Sequence, residues 1–115
     1  MANITIFLKV DQVGHLHLRD SEGHSGEDNI TTDAGDGDTI LWTLEENSGI
    51  SKITGINAKP GSQNLFSEGP SRISDSEWRG LINSDASGEE SYYIEYNLAD
   101  GTPMKDDPRI IIRPK

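Results

Sequence analysis

Apolar residues recur at every second position in several short runs of this sequence. The runs are residues 3–10, 13–19, 39–44 and 91–98. Successive side chains of a β-strand point to opposite faces, so this period of two predicts strands with one buried face. The buried positions in the two clearest runs are predicted to be Ile4, Ile6, Leu8, Val10, Tyr92, Ile94, Tyr96 and Leu98.

Turn residues, such as Asp100-Gly101 after residues 91–98, separate these runs at short intervals, and no long amphipathic helix is present. Such spacing is typical of β-sandwiches and barrels. We therefore predict one all-β domain over residues 1–115, with seven or eight antiparallel strands in a Greek-key sandwich. Residues 50–56 carry isoleucines three apart between glycines, which favours an irregular strand with a bulge over a helix. Residues 74–79 predict at most one short helical turn.

The charge of the chain restricts its partners. The sequence has 20 acidic and 10 basic residues, and its net charge is -10. Such a surface repels phosphate, so nucleic acid and anionic membranes are not expected partners. There is no cysteine, which excludes disulfides and thiolate chemistry. Residues 1–10 do not resemble a signal peptide, and no apolar run would span a membrane, so we expect a cytoplasmic, monomeric protein.

Two segments resemble the cupredoxin-like β-sandwich family. GDTILWTL at 37–44 is similar to the family's Gly-Asp strand with a tryptophan, and YYIEYNLADGTPMKDDPRIIIRP at 92–114 is similar to its closing hairpin. The resemblance implies a Greek-key sandwich of seven or eight strands, cupredoxin-like or immunoglobulin-like. Copper-binding members hold the metal with Cys, His and Met on the last loop. Residues 97–108 contain only Met104 of these types, so we expect no copper and no other cofactor.

Two groups of side chains could hold a metal ion. His15 and His17 share one face of a strand and His24 follows in a loop, so three imidazoles could bind zinc or copper(II). The alternative is that these histidines form an exposed polar face. Asp33, Asp36 and Asp38 lie among glycines and could bind calcium, although their spacing is not that of an EF-hand. The alternative for this segment is an ordinary turn before a strand.

Aromatic side chains offer a third type of site. Trp42, Tyr92 and Tyr96 alternate with other apolar residues and are predicted to lie in the core. Trp78 and Tyr93 are predicted to be the exposed rings, on which a carbohydrate could stack.

No catalytic motif is present in the sequence. It lacks the G-x-S-x-G and H-E-x-x-H patterns and a glycine-rich phosphate loop. Adjacent acids such as Glu45 and Glu46 are expected to be solvated. We therefore predict a non-enzymatic binding or interaction module that meets an unidentified partner, with a protein as one candidate, through loops at one end of the sandwich. A calcium- or transition-metal-binding domain is the second hypothesis, and a carbohydrate-binding module is the third.

Overall fold

The protein is described by a computed structural model over residues 3–11, 16–21, 23, 25–27, 31–35, 37–60, 65–83, 88–106 and 109–112. Eleven β-strands and no helix lie in these residues. The strands are β1 Asn3–Val10, β2 Leu16–Asp20, β3 Ser25–Glu27, β4 Thr31–Ala34, β5 Thr39–Leu44, β6 Ile50–Ala58, β7 Phe66–Ser74, β8 Glu77–Ile82, β9 Gly88–Leu98, β10 Pro103–Asp106 and β11 Arg109–Ile112. The described part contains no helix that is long and apolar enough to cross a membrane.

The first sheet has six strands in the order β3-β2-β1-β5-β8-β7. Its neighbours are antiparallel except for β1 and β5, which run parallel with Ile6 opposite Trp42. The strand β5 lies between β1 and β8 in this sheet. This parallel pair places the ends of β1 and β5 side by side, where Glu45 N–H donates to Leu8 O.

The second sheet is built around β9. One edge of β9 pairs with β6, and the other edge pairs with β10 and then β11 in one continuous register, from Pro103–Asn97 to Arg109–Ser91. The strand β4 extends this sheet by pairing parallel to β11. The chain passes repeatedly between the two sheets, so each sheet is assembled from segments that are distant in sequence.

The core lies between the two sheets and contains most of the residues that the alternating pattern selected, whereas Val10 and Leu98 are partly buried and pack against it. The side chains of Trp42 and Tyr92 meet at its centre, with ring centroids 5.8 Å apart and an interplanar angle of 66°. The fully or nearly fully buried apolar side chains are Ile4, Ile6, Leu8, Leu16, Leu18, Ala34, Ile40, Trp42, Ile50, Ile53, Ile56, Leu65, Phe66, Ile82, Tyr92, Ile94 and Tyr96. The prediction of an all-β sandwich is confirmed.

Some details of the predicted sandwich are different in the structure. It has two parallel strand pairs rather than an entirely antiparallel arrangement, and the described residues hold more strands than seven or eight. The additional strands include β3 and β10, which the sequence assigned to loops. Both are short and polar, so their strand conformation depends on a neighbouring strand rather than on a hydrophobic pattern of their own. Met104 lies in β10 and packs against the core.

No helical turn is present at residues 74–79, where the sequence predicts at most one. Asp75 and Ser76 form the turn of the β7–β8 hairpin. The Arg72 guanidinium donates to the Asp75 carboxylate across this turn. An isolated helical turn fixes several backbone dihedral angles for a single hydrogen bond, which costs free energy. The hairpin instead forms the hydrogen bonds between β7 and β8 on either side of its turn.

Two other local predictions are confirmed. The strand β6 is irregular, with register shifts between Ile50 and Lys52 and between Ile53 and Gly55. The chain turns at Asp100 and Gly101 between β9 and β10. There the Asp100 Oδ1 accepts hydrogen bonds from Thr102 N at 3.0 Å and Thr102 Oγ1 at 2.7 Å. These hydrogen bonds lower the pKa of Asp100, so its exposed carboxylate remains ionised.

Candidate functional site

The histidine group is only partly within the described structure. His15 and His24 lie outside the described residues. His17 lies on β2, and its Nε2 is 3.0 Å from Asp11 Oδ2. Among the described residues, no three His, Asp or Glu side chains are grouped closely enough to hold a metal ion. The three-histidine metal site therefore stays a prediction.

The aspartate group has one member whose role is structural. Asp38 is buried, and its Oδ2 accepts a hydrogen bond from Gly35 N at 2.7 Å. Its backbone also joins neighbouring elements, because Ile82 N–H donates to Asp38 O at 2.8 Å. Asp36 lies outside the described residues, and the described part of Asp33 is its backbone in β4. Asp38 thus stabilises the turn before β5. This role agrees with the alternative interpretation of the segment as an ordinary turn before a strand.

Trp78 belongs to the sandwich rather than to an exposed aromatic surface. It stands opposite Trp42 in the β5–β8 register and packs against the core. Its Nε1 donates to Ile53 O at 3.2 Å, which joins the first sheet to the second. The ring is only partly accessible, so the prediction that Trp78 is an exposed platform for sugars is not supported by its placement.

Tyr93 lies on the outer face of the second sheet. The Nζ atoms of Lys105 and Lys59 are 3.9 Å and 5.5 Å from its ring centroid. These lysines come from opposite sides of β9, because Lys105 is on β10 and Lys59 follows β6. The ring therefore interacts with cations instead of presenting an unoccupied surface.

A groove on the outer face of the first sheet brings several charged side chains together among the described residues. Its volume is about 380 Å³, which is within the range of small-ligand sites. The described lining consists of Lys9, His17, Leu18, Arg19, Ser25, Gly26 and Glu45. Strand alternation brings Lys9, His17 and Arg19 to one face, and pairing of β3 with β2 adds Ser25.

The guanidinium of Arg19 is held in the groove by two neighbours. Its Cζ lies 4.3 Å from the centroid of the Phe7 ring. Its Nε and Nη2 donate to Glu45 Oε1 at 3.3 Å and 3.2 Å. The Arg19 side chain is nevertheless 54% exposed. It therefore keeps donor capacity toward the groove while its position is restricted.

The groove lies beside a cluster of connected turns at one end of the sandwich. Residues 45–49 connect β5 and β6 and begin with Glu45 of the groove. This loop is tied to the β9–β10 turn by Ala99 N–H donating to Gly49 O at 2.9 Å. The β7–β8 turn is tied to the end of β5 by Leu44 N–H donating to Ser76 O at 3.0 Å. These hydrogen bonds connect the loop that contains Glu45, and the end of β5 before it, to two neighbouring turns.

The described residues of the groove do not form a nucleophile relay. Ser25 and His17 both line it, but Ser25 stands opposite Arg19 in the strand register. Within the described residues no hydrogen bond joins Ser25 to His17, whose Nε2 lies 3.0 Å from Asp11 Oδ2. A serine activated by histidine requires a hydrogen bond of about 2.6–3.2 Å. The arrangement is suited to binding a charged group.

The sequence indicated part of this groove. The outward positions Lys9, His17 and Arg19 follow directly from the alternation in β1 and β2. Glu45 could not be placed beside them, because its position depends on the parallel pairing of β1 with β5. Ser25 and Gly26 belong to β3, which carries no apolar alternation. The signal that could have found the site is the concentration of basic residues on the outward positions of one hairpin.

Comparison with known proteins does not assign a family. No protein-family model and no curated protein matches the chain. Among solved structures, the crystal structure of the cysteine protease inhibitor EhICP2 from Entamoeba histolytica is similar over 72% of this chain and 84% of that chain. The sequence identity is 15% and the TM-score is 0.39. At this TM-score the likeness carries no functional argument.

Proposed function

We propose that this protein is a non-catalytic binding module, and that its groove beside β3 receives a carboxylate group of a ligand. The observation that carries the proposal is the charge of the groove. Lys9 and Arg19 contribute two fixed positive charges to the lining and Glu45 contributes one negative charge. The lining within the described residues is therefore net positive in a chain whose overall charge is -10.

The geometry favours a single carboxylate. Arg19 is already paired with Glu45, so its position is set before a ligand arrives. Lys9 is exposed and stands opposite His17 in the β1–β2 register. A carboxylate between Lys9 and Arg19 would accept charge-assisted hydrogen bonds from both. Preorganised donors lose less side-chain entropy on binding, which strengthens the complex.

The test is an NMR titration of the ¹⁵N-labelled protein with two probes that carry the same chemistry. Succinate represents a small metabolite, and a short neutral peptide with a free C-terminal carboxylate represents a protein partner. We expect shifts of the amides of Lys9, His17, Ser25 and Gly26. The same peptide with an amidated C-terminus should not produce them. The probe that binds more tightly identifies the source of the carboxylate.

Charge variants show whether the groove is responsible. Lys9→Gln should weaken binding about tenfold, which corresponds to about 1.4 kcal/mol. Arg79→Gln is the matched control, because Arg79 is exposed on the same sheet but does not line this groove. Equal losses of affinity in the two variants would reject the proposal, as would the absence of shifts of the groove amides with both probes.

A further inference from the structure

The outer face of the second sheet carries another cationic surface, which we call the Tyr93 surface. It consists of Tyr93, Lys59, Lys105 and Asn57, together with Glu95, which strand alternation places on the same face opposite Lys105. Two positive charges and one negative charge therefore lie on this surface. Asn57 is exposed and stands opposite Tyr93 in the β6–β9 register. The Tyr93 surface and the groove are built on different sheets and share no residue, so a ligand can bind to either one independently of the other.

The lysines of the Tyr93 surface are positioned by the aromatic ring. The Lys105 Nζ is 3.9 Å from the ring centroid although the backbone of Lys105 stands opposite Glu95. Lys105 is exposed at the protein surface, so its ammonium can contact a ligand while it remains over the ring. A lysine held in this way has already lost part of its side-chain freedom, so an anion that binds to it meets a smaller entropic cost.

The dimensions of the surface indicate the size of the partner segment. The three strands β6, β9 and β10 are adjacent, and strands in a sheet are about 4.8 Å apart, so the surface is about 10 Å wide. An extended peptide advances about 3.3 Å per residue, so three or four residues would cross it. A long polyanion would extend beyond this width and meet the acidic remainder of a chain with net charge -10.

We propose that the Tyr93 surface binds a short acidic segment of a protein partner, with two or three neighbouring carboxylates placed over Lys59 and Lys105. Charge complementarity selects the carboxylates, and an exposed sheet face suits an extended peptide rather than a small molecule enclosed in a pocket. Asn57 can add a hydrogen bond to the peptide backbone. Tyr93 acts by positioning the two ammonium groups.

The experiment is a titration of the protein with a capped pentapeptide, Gly-Asp-Glu-Asp-Gly, followed by NMR. The expected result is a set of shifts centred on Asn57, Tyr93 and Lys105. The uncharged peptide Gly-Asn-Gln-Asn-Gly should bind at least about tenfold more weakly, because it lacks the charge that the surface recognises. Equal binding of the two peptides would overturn the proposal.

Charge variants distinguish peptide binding at the Tyr93 surface from a general effect of the protein's charge on peptide affinity. The double variant Lys59→Gln/Lys105→Gln should bind the acidic peptide about tenfold more weakly, or weaker still. The control Lys52→Gln/Arg79→Gln removes the same charge from exposed positions away from Tyr93 and should leave the affinity within about twofold. Tyr93→Phe should retain binding, because phenylalanine keeps the ring face, and Tyr93→Leu should lose it. A control variant that loses as much affinity as the lysine variant would count against the proposal.

Other classes of ligand give distinguishable results. A heparin-derived tetrasaccharide, or vesicles that contain phosphatidylserine, would shift the same amides if the surface recognised polyanions. Binding of either probe in the absence of peptide binding would show that a protein segment is the wrong partner. Because Lys9→Gln alters only the groove, it should leave peptide binding at the Tyr93 surface unchanged.

Discussion

At the scale of single residues, the contact between Trp42 and Tyr92 joins the two sheets inside the core. Trp42 Nε1 donates to the Tyr92 hydroxyl oxygen at 3.2 Å, and neither side chain is accessible to solvent. Burial raises the pKa of Tyr92, so the phenol keeps its proton under ordinary conditions. The sequence predicted that both rings would be buried, but not that their polar atoms would satisfy each other.

Removing either partner of this hydrogen bond should lower the free energy of unfolding. Tyr92→Phe leaves the Trp42 N–H buried without its acceptor, and we expect a loss of about 1–3 kcal/mol in the free energy of unfolding. Trp42→Phe should lose more, because ring volume is also removed. The double variant should be less destabilised than the sum of the single variants, since no orphaned partner remains. Urea unfolding measures all three, and strictly additive losses would contradict this interpretation.

At the scale of elements, local features of β6 and β8 allow large apolar side chains to pack in the core. Ile50, Ile53 and Ile56 are three residues apart, yet all three are buried on β6. The register shifts in β6 reset the alternation between them, so a spacing that resembles a helix is accommodated by a strand. On β8, Gly80 leaves space for the Phe66 ring of β7, which lies 5.8 Å from the Trp42 ring, centroid to centroid.

Gly80 is expected to tolerate no side chain while Phe66 is present. A Cβ at position 80 would lie 2.7 Å from both Cδ1 and Cε1 of Phe66. Gly80→Ala should therefore lower the free energy of unfolding by about 1–3 kcal/mol. Phe66→Leu in the same chain should recover part of this loss, because a smaller side chain relieves the overlap. Thermal unfolding of the single and double variants tests this, and an unaffected Gly80→Ala protein would show the expectation to be wrong.

At the scale of the whole molecule, a buried carboxylate also joins the two sheets. Glu90 of β9 is 1% exposed, and its Oε1 accepts a hydrogen bond from Leu65 N at 2.7 Å just before β7 begins. Burial raises the pKa of Glu90 above the usual glutamate value, and the Leu65 N–H only partly offsets this effect. The folded protein therefore binds the Glu90 proton more tightly than the unfolded chain does.

This shift predicts the direction of a pH effect. The contribution of Glu90 to stability is greatest below the usual glutamate pKa and falls as the pH rises through the raised pKa of the folded state. Glu90→Gln keeps a carbonyl acceptor for Leu65 and cannot ionise. The variant should therefore gain stability relative to the parent protein as the pH increases from about 4 to 8. Urea midpoints across this range measure the difference, and parallel profiles for the two proteins would disprove the prediction.

The sequence by itself determined which side chains are buried and where several turns occur. Period-two alternation is a local property, so it identified Ile4, Trp42 and Tyr92 as core residues without knowledge of their partners. The Asp100–Gly101 turn is similarly local, because its hydrogen bonds join residues two positions apart. The absence of cysteine, which is a property of composition alone, excluded thiolate copper.

Only the tertiary structure decided which strands are neighbours, and the surfaces depend on that choice. Arg19 and Glu45 are 26 residues apart and meet because β1 pairs in parallel with β5. Lys59 and Lys105 meet at Tyr93 because β6 and β10 occupy opposite edges of β9. Strand pairing is a cooperative result of packing between distant segments, and no local pattern specifies it. The sequence therefore predicts the sandwich and its core, while the location of the binding surfaces follows from how the sheets are assembled.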